Sequence, residues 1–197
     1  GVHRAQPAET GAKHRAAPGA SGDGRRRAPP HRKKGHPPGG FHLERISVLG
    51  CGRWGPFIAW YLAVRKGKQV WSWGPEGDYA YEVLKNTGKN EYVALDPSIT
   101  LTYDLEAAVG RAEIVIISIS SQGLRGFIRK VLACRGAKSK LFVLCMKGIE
   151  AETGKRLSQI CEEEGVPRER IAVWVGPGHI QDFTAGIPNC MVIDSHN

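Results

Sequence analysis

Gly50-Cys51-Gly52-Arg53-Trp54-Gly55 constrains the fold of this chain more than any other feature. It follows a short apolar run that includes Ile46, Val48 and Leu49, and it opens an amphipathic stretch, GPFIAWYLAVRKG. A second apolar run, QVWSW, begins at Gln69. The order reads as strand, turn, helix, strand, so the G-x-G-x-x-G pattern falls on the first turn of a βαβ unit. In such a turn the first glycine permits a tight reversal, the second lets backbone approach a pyrophosphate, and the third lets the helix pack against the strand. Free N–H groups and the helix dipole then stabilise the phosphate charge. A glycine-rich turn without a ligand would carry the same letters, but the strand and helix flanking this one favour a dinucleotide.

The same alternation continues downstream. Apolar runs at residues 99–103, 114–118, 141–145, 171–175 and 190–193 are rich in Ile, Val or Leu and short enough for buried parallel strands. Helical stretches are expected at residues 79–86, 105–110, 124–133 and 154–164, with Thr153 as the N-cap of the last and Gly165 as its stop. The expected fold is α/β, a Rossmann-like, doubly wound and mostly parallel sheet with helices on both faces.

Charge divides the chain. Of the net +9 over 197 residues, residues 1–40 hold nine Lys and Arg against Glu9 and Asp23, a surplus of seven, which leaves +2 for residues 41–197. Val2 is the only large aliphatic residue before position 41, and every Trp, Tyr, Phe and Cys lies after position 40. A disordered basic leader over 1–40 and one dinucleotide-binding domain over 41–197 are therefore expected. A basic tail can bind nucleic acid through phosphates, but no aromatic residue interleaves these charges to stack on bases, so a nucleic-acid partner is not expected. The leader lacks the apolar core of a secretory signal and the Ser-rich helical character of a transit peptide, and the IVII run at 114–117 is too short to span a bilayer. Five cysteines without a CxxC or paired His argue against a disulfide framework or a metal site and for a reducing compartment, the cytoplasm. The chain starts on Gly1 rather than Met and stops at Asn197 just after an expected strand, so a truncated domain is expected.

Several residues are candidates for chemistry. Glu76 and Asp78 lie about 20 residues beyond the fingerprint, where a carboxylate binds an NAD ribose, and either is equally a solvated loop carboxylate. No Arg or Lys follows Trp73 closely, which tilts the choice toward NAD over NADP. Lys147 stands just past an expected strand end, where open α/β sheets place ligands, and is otherwise a solvent-facing lysine. Gly176-Pro177-Gly178-His179 forms either a backbone wall of the same site or a plain turn. Cys145 reads as strand packing rather than a nucleophile, and Gly154-Lys155-Arg156 lacks the spacing of a P-loop.

Taken in order, GCGRWG, SWG, SISSQGLR, CMKGIEAETGKRLS and VWVGPGH with AGIPNCMVI resemble the N-terminal half of NAD(P)-dependent glycerol-3-phosphate dehydrogenases, over nearly all of residues 43–194. The resemblance implies reversible hydride transfer between nicotinamide (NAD or NADP) and C2 of a small phosphorylated substrate, the dihydroxyacetone phosphate and sn-glycerol 3-phosphate pair, supplying glycerol phosphate for phospholipid synthesis. Carried over by position, Gly50, Gly52, Arg53, Trp54 and Gly55 hold the cofactor, Lys147 touches cofactor and substrate in a supporting catalytic role, and Gly176 and Gly178 line the substrate loop. Two positions depart from the family pattern: Gly178 replaces a common Ser or Thr, and Pro75 a common basic residue or His. The family's general acid/base lysine lies in a C-terminal helical domain that this sequence lacks, so weak cofactor binding with little or no turnover is expected. The resemblance also implies a homodimer of the full-length protein. The competing expectations are another two-domain dehydrogenase of opine or ketopantoate type, and a non-catalytic dinucleotide-binding module.

Overall fold

A computed structural model describes residues 45–196. The leader expected over 1–40 lies outside the described residues. Seven strands among them form one sheet: β1 (Arg45–Leu49), β2 (Gln69–Trp73), β3 (Thr100–Thr102), β4 (Ile114–Ile117), β5 (Leu141–Leu144), β6 (Ile171–Val175) and β7 (Val192–Ser195). Six α-helices among the described residues accompany them: α1 (Gly55–Trp60), α2 (Tyr79–Thr87), α3 (Leu105–Arg111), α4 (Leu124–Ala133), α5 (Leu157–Glu163) and α6 (Ile180–Thr184). Beyond Trp60 the helix widens into a π-helical segment, Tyr61–Arg65.

The strand order is β3-β2-β1-β4-β5-β6-β7, parallel throughout except for β7. The chain builds outward from β1 to β3 on one side, returns to the centre, and builds outward again from β4. The direction of winding therefore reverses between β1 and β4, and a crevice opens beyond their carboxyl ends. Both central strands are covered on both faces, which is why RISVL and IVII are nearly continuous aliphatic runs.

Alternate side chains of the sheet enter two cores. Leu49, Trp73, Val115, Ile117, Phe142 and Leu144 face α3, α4 and α5. Ile46, Val48, Val70 and Ile116 face α1 and α6. The one hydroxyl on β1, that of Ser47, donates to the Ala108 carbonyl at 2.6 Å, which relieves the cost of burying it.

Three expectations are corrected. The strand expected at 190–193 runs instead over Val192–Ser195, pairs antiparallel with β6, and is exposed along its whole length. Helix α6, not anticipated from the sequence, returns the chain so that β7 can enter from the opposite end. The helix expected from residue 154 begins only at Leu157, because Gly154 adopts φ +70° and the Ile149–Arg156 bridge holds residues 150–155 in a closed loop. Thr153 is thus not an N-cap: its hydroxyl donates to Glu150, and Gln159 instead accepts from the Arg156 N–H at 3.0 Å. The stop at Gly165 agrees with its φ of +101° just past the end of α5.

Candidate functional site

A cleft of about 700 Å³ opens beyond the carboxyl ends of β1, β4, β5 and β6. Of the eight residues assigned by the resemblance, six line it, Gly50, Gly52, Arg53, Trp54, Lys147 and Gly176, as does the candidate carboxylate Asp78. Gly55 and Gly178 do not.

The three glycines of the fingerprint differ in what surrounds them. Gly50 sits at φ +126°, and a Cβ there would lie 2.1 Å from the Ser118 carbonyl oxygen, so the turn reverses directly against the loop after β4. A Cβ on Gly55 would lie 1.8 Å from the Gly50 carbonyl oxygen, so α1 closes onto the turn without room for a methyl group. Around Gly52, by contrast, no protein atom stands within 4 Å of the same position. The first and third glycines are required by the protein's own packing, and the second faces the open cleft. No side chain caps the first turn of α1, whose Pro near the start has no N–H to satisfy. An uncapped helix start beneath an open glycine suits the pyrophosphate of a dinucleotide.

Arg53, which lines the cleft, lies with its guanidinium 4.8 Å from the centroid of the Tyr92 ring. Trp73 forms the floor: its indole N–H donates to the Tyr103 carbonyl at 2.8 Å, and its ring packs 5.3 Å from Phe127. Asp78 lines the cleft while capping α2, its carboxylate accepting from the N–H groups of Ala80 and Tyr81 at 3.0 and 3.2 Å. Glu76 is exposed and does not line it. Gly74, the first residue beyond β2, cannot carry a side chain without displacing Cys51, whose sulfur would be 2.6 Å from its Cβ. Burial pushes the Cys51 thiol up to about 12, with Ser72 pulling weakly the other way. Burial likewise pushes Cys145 to about 12, so neither thiol in the cleft is a thiolate at neutral pH.

Lys147 follows β5 by three residues and makes no hydrogen bond or ion pair among the described residues. It faces a second hollow of about 760 Å³ as well, shared with Gly176, Arg156 and Arg168. Gly178 is packed under α6: a Cβ there would be 2.5 Å from the Phe183 ring, so a Ser or Thr at this position would require that ring to move. Sequence reasoning missed the loop after β4, where Ser118, Ile119, Ser120 and Ser121 border the cleft. Their visible signals are their place just past a strand end and the SISSQGLR segment that takes part in the family resemblance. It also missed Trp174 and Met191, brought in by β6 and the segment before β7. Among the described residues no three His, Cys, Asp or Glu side chains are grouped to hold a metal, and no helix is long and apolar enough to cross a membrane.

A 3-2-1-4-5-6 parallel order with a glycine cradle at the reversal of winding defines a Rossmann-type dinucleotide-binding domain. The family model described as "NAD-dependent glycerol-3-phosphate dehydrogenase N-terminus" matches residues 45–197, and the chain belongs to that family. It is 39% identical over 154 residues to glycerol-3-phosphate dehydrogenase (NAD(P)+) of Moorella thermoacetica, covering 76% of this chain and 44% of that protein. The corresponding figures for the enzyme of Prosthecochloris aestuarii are 32% over 157 residues, 77% and 47%. The chain thus spans a little under half the length of these relatives. The fold is shared with the crystal structure of glycerol-3-phosphate dehydrogenase from Coxiella burnetii, at a TM-score of 0.67 and 23% identity over 79% of this chain and 47% of that one.

Proposed function

We propose that this chain is the cofactor-binding part of a glycerol-3-phosphate dehydrogenase, and that the complete protein interconverts dihydroxyacetone phosphate and sn-glycerol 3-phosphate. The observation that carries the proposal is the open position at Gly52, in a turn whose other two glycines are packed shut, with Lys147 on the same cleft. The N–H groups of Gly52, Arg53 and Trp54 hold the pyrophosphate, and Gly50 and Gly55 shape the turn that presents them. When bound, the nicotinamide gives or takes the hydride exchanged with C2 of the substrate. Lys147 binds the substrate oxygen at C2 and stabilises the negative charge that develops there on reduction, while Gly176 supplies backbone at the substrate end. The cofactor is NAD or NADP: Gly74 leaves no room for a carboxylate at the end of β2, and Asp78, which lines the cleft, already accepts from the Ala80 and Tyr81 N–H groups.

Reduction also needs a proton at O2. The two thiols on the cleft, Cys51 and Cys145, are raised to about 12 and keep their protons at neutral pH. Binding is therefore proposed for this chain, and turnover for the longer protein. The same reading carries a cytoplasmic location and a homodimer of that longer protein. The test is titration of the chain with NADH, read by energy transfer from Trp54, Trp73 and Trp174, which all line the cleft. Saturable transfer that is abolished by Gly52→Val is expected. Absence of saturation, or saturation untouched by that substitution, would overturn the proposal.

A further inference from the structure

Among the described residues the side chain of Lys147 has no hydrogen bond or ion pair to hold it, and Gly148 beside it takes φ +115°, so the place of the ammonium depends on how the backbone is fixed on the far side of that glycine. There two residues from the first turns beyond β4 grip the loop. The Gln122 amide donates to the Ile149 carbonyl at 2.8 Å and accepts from the Ala151 N–H at 2.9 Å, closing a two-bond clamp on the backbone across 27 to 29 residues. One turn on, Arg125 makes a bidentate pair with the intervening Glu150 at 2.7 and 2.8 Å. Thr153 donates to the same carboxylate, and Glu150 is 7% exposed. The grip is close: a Cβ on Gly148 would already stand 3.3 Å from the Ser121 hydroxyl.

The geometry points to Gln122 and Arg125 as positioning residues for Lys147: neither lines the cleft, and together they fix the backbone that carries the ammonium into it. Gln122 sets the depth of the loop through its main chain, and Arg125 keeps the loop closed through Glu150. This rests on the reading of Lys147 as a contact to cofactor and substrate. It deepens that reading by naming what aims the lysine.

The experiment uses the full chain with Gln122→Met, which keeps side-chain length and removes the two bonds of the clamp along with a third to the Ser121 hydroxyl, together with Lys147→Met and the double variant. NADH affinity is read by tryptophan energy transfer. Gln122→Met is expected to weaken binding about fivefold, Lys147→Met at least as much, and the double variant no more than Lys147→Met alone, because one residue acts through the other. Losses that multiply, or a Gln122→Met chain that binds like the parent, would overturn the proposal. The second readout is the rate of Lys147 acetylation against pH by mass spectrometry. In Gln122→Met its profile is expected to move while other exposed lysines keep theirs, and an unmoved profile would also overturn the proposal. Should Lys147→Met leave NADH affinity unchanged, the functional reading fails, and the acetylation profile alone decides the positioning role. If Gln122→Met does not fold, Arg125→Lys, which keeps the charge and gives up the bidentate pair, takes its place in both readouts.

Discussion

A methyl group added at Gly55 would sit 1.8 Å from a backbone oxygen, whereas one added at Gly52 would meet no protein atom within 4 Å. The same substitution should therefore have opposite signatures at the two sites. Gly55→Ala has no flexible side chain to push aside, only the Gly50 carbonyl that forms the turn, and is expected to cost about 3 kcal/mol or more, which for a chain of this size lowers the thermal midpoint by roughly 6–12 °C. Gly52→Ala is expected to change stability by less than about 1 kcal/mol while weakening NADH binding more than about tenfold, since the methyl occupies the space a pyrophosphate would use. Thermal melts and NADH titrations on both variants separate the two effects, and a Gly52→Ala protein that binds NADH normally would remove the basis of the cradle. Thiol chemistry is predictable at this scale too. Cys51, Cys134 and Cys161 are buried and Cys145 half-buried, with burial raising Cys51, Cys145 and Cys161 to about 12 and Cys134 to about 11, while Cys190 is exposed. Brief alkylation of the native chain at pH 8 should label Cys190 and spare the other four, as peptide mass spectrometry would read directly.

Helices α4 and α5 are joined at their exposed edge by ionic groups rather than by packing alone. Arg125 contacts Glu150, Glu163 and Glu164, Arg129 pairs with Glu164 at 2.6 Å, and Lys155 reaches Glu163. Hydrogen bonds from Arg125 and Thr153 hold the Glu150 carboxyl at about 2, and those from Arg129 and Arg125 hold Glu164 at about 2, against an ordinary 4.5. A carboxyl depressed in the folded state adds stability that is fully present above its unfolded value and is lost as pH falls toward the folded one. The thermal midpoint should accordingly fall between about pH 4.5 and pH 2, and the fall should be shallower in Arg125→Met, which loses the main partner of Glu150 and one of the two arginines on Glu164. Parallel acid melts of the two chains check this, and identical slopes would refute it. The elements themselves were largely legible in the sequence. Buried strands such as IVII and LFVL announce themselves because both faces are covered, and the glycine fingerprint fixes the first crossover. What escaped was set by distant partners. The antiparallel entry of β7 depends on α6 reversing the chain, which no local period encodes, and the late start of α5 depends on the Ile149–Arg156 bridge that closes the loop before it. Likewise Lys147 and the glycines were visible from position alone, while Ser118 to Ser121 and the Gln122 clamp acquire their place only when β4 lies beside β1 and β5.

At the scale of the whole chain, charge and fold are carried by different residues. Residues 1–40 supply a surplus of seven positive charges out of nine, whereas the sheet, the cleft and every Trp, Tyr and Phe belong to residues 41–197. Non-specific attraction to a polyanion and binding of NADH are therefore expected to separate on deletion. Attraction to a polyanion scales with the number of phosphates neutralised and falls steeply with salt, so the full chain should bind duplex DNA weakly at low ionic strength and release it as salt rises. A chain beginning at Phe41 carries a net of only +2 and should lose that binding. The proposed cradle would hold NADH instead through short-range backbone donors at Gly52, Arg53 and Trp54, which the deletion leaves in place, so affinity for NADH at physiological salt should change less than about twofold. The comparison is made by filter binding of DNA and tryptophan energy transfer to NADH on the same two proteins. Loss of NADH binding with the first 40 residues would mean that the cradle is incomplete without them, and DNA binding retained by the shorter chain would place a basic surface on the domain itself.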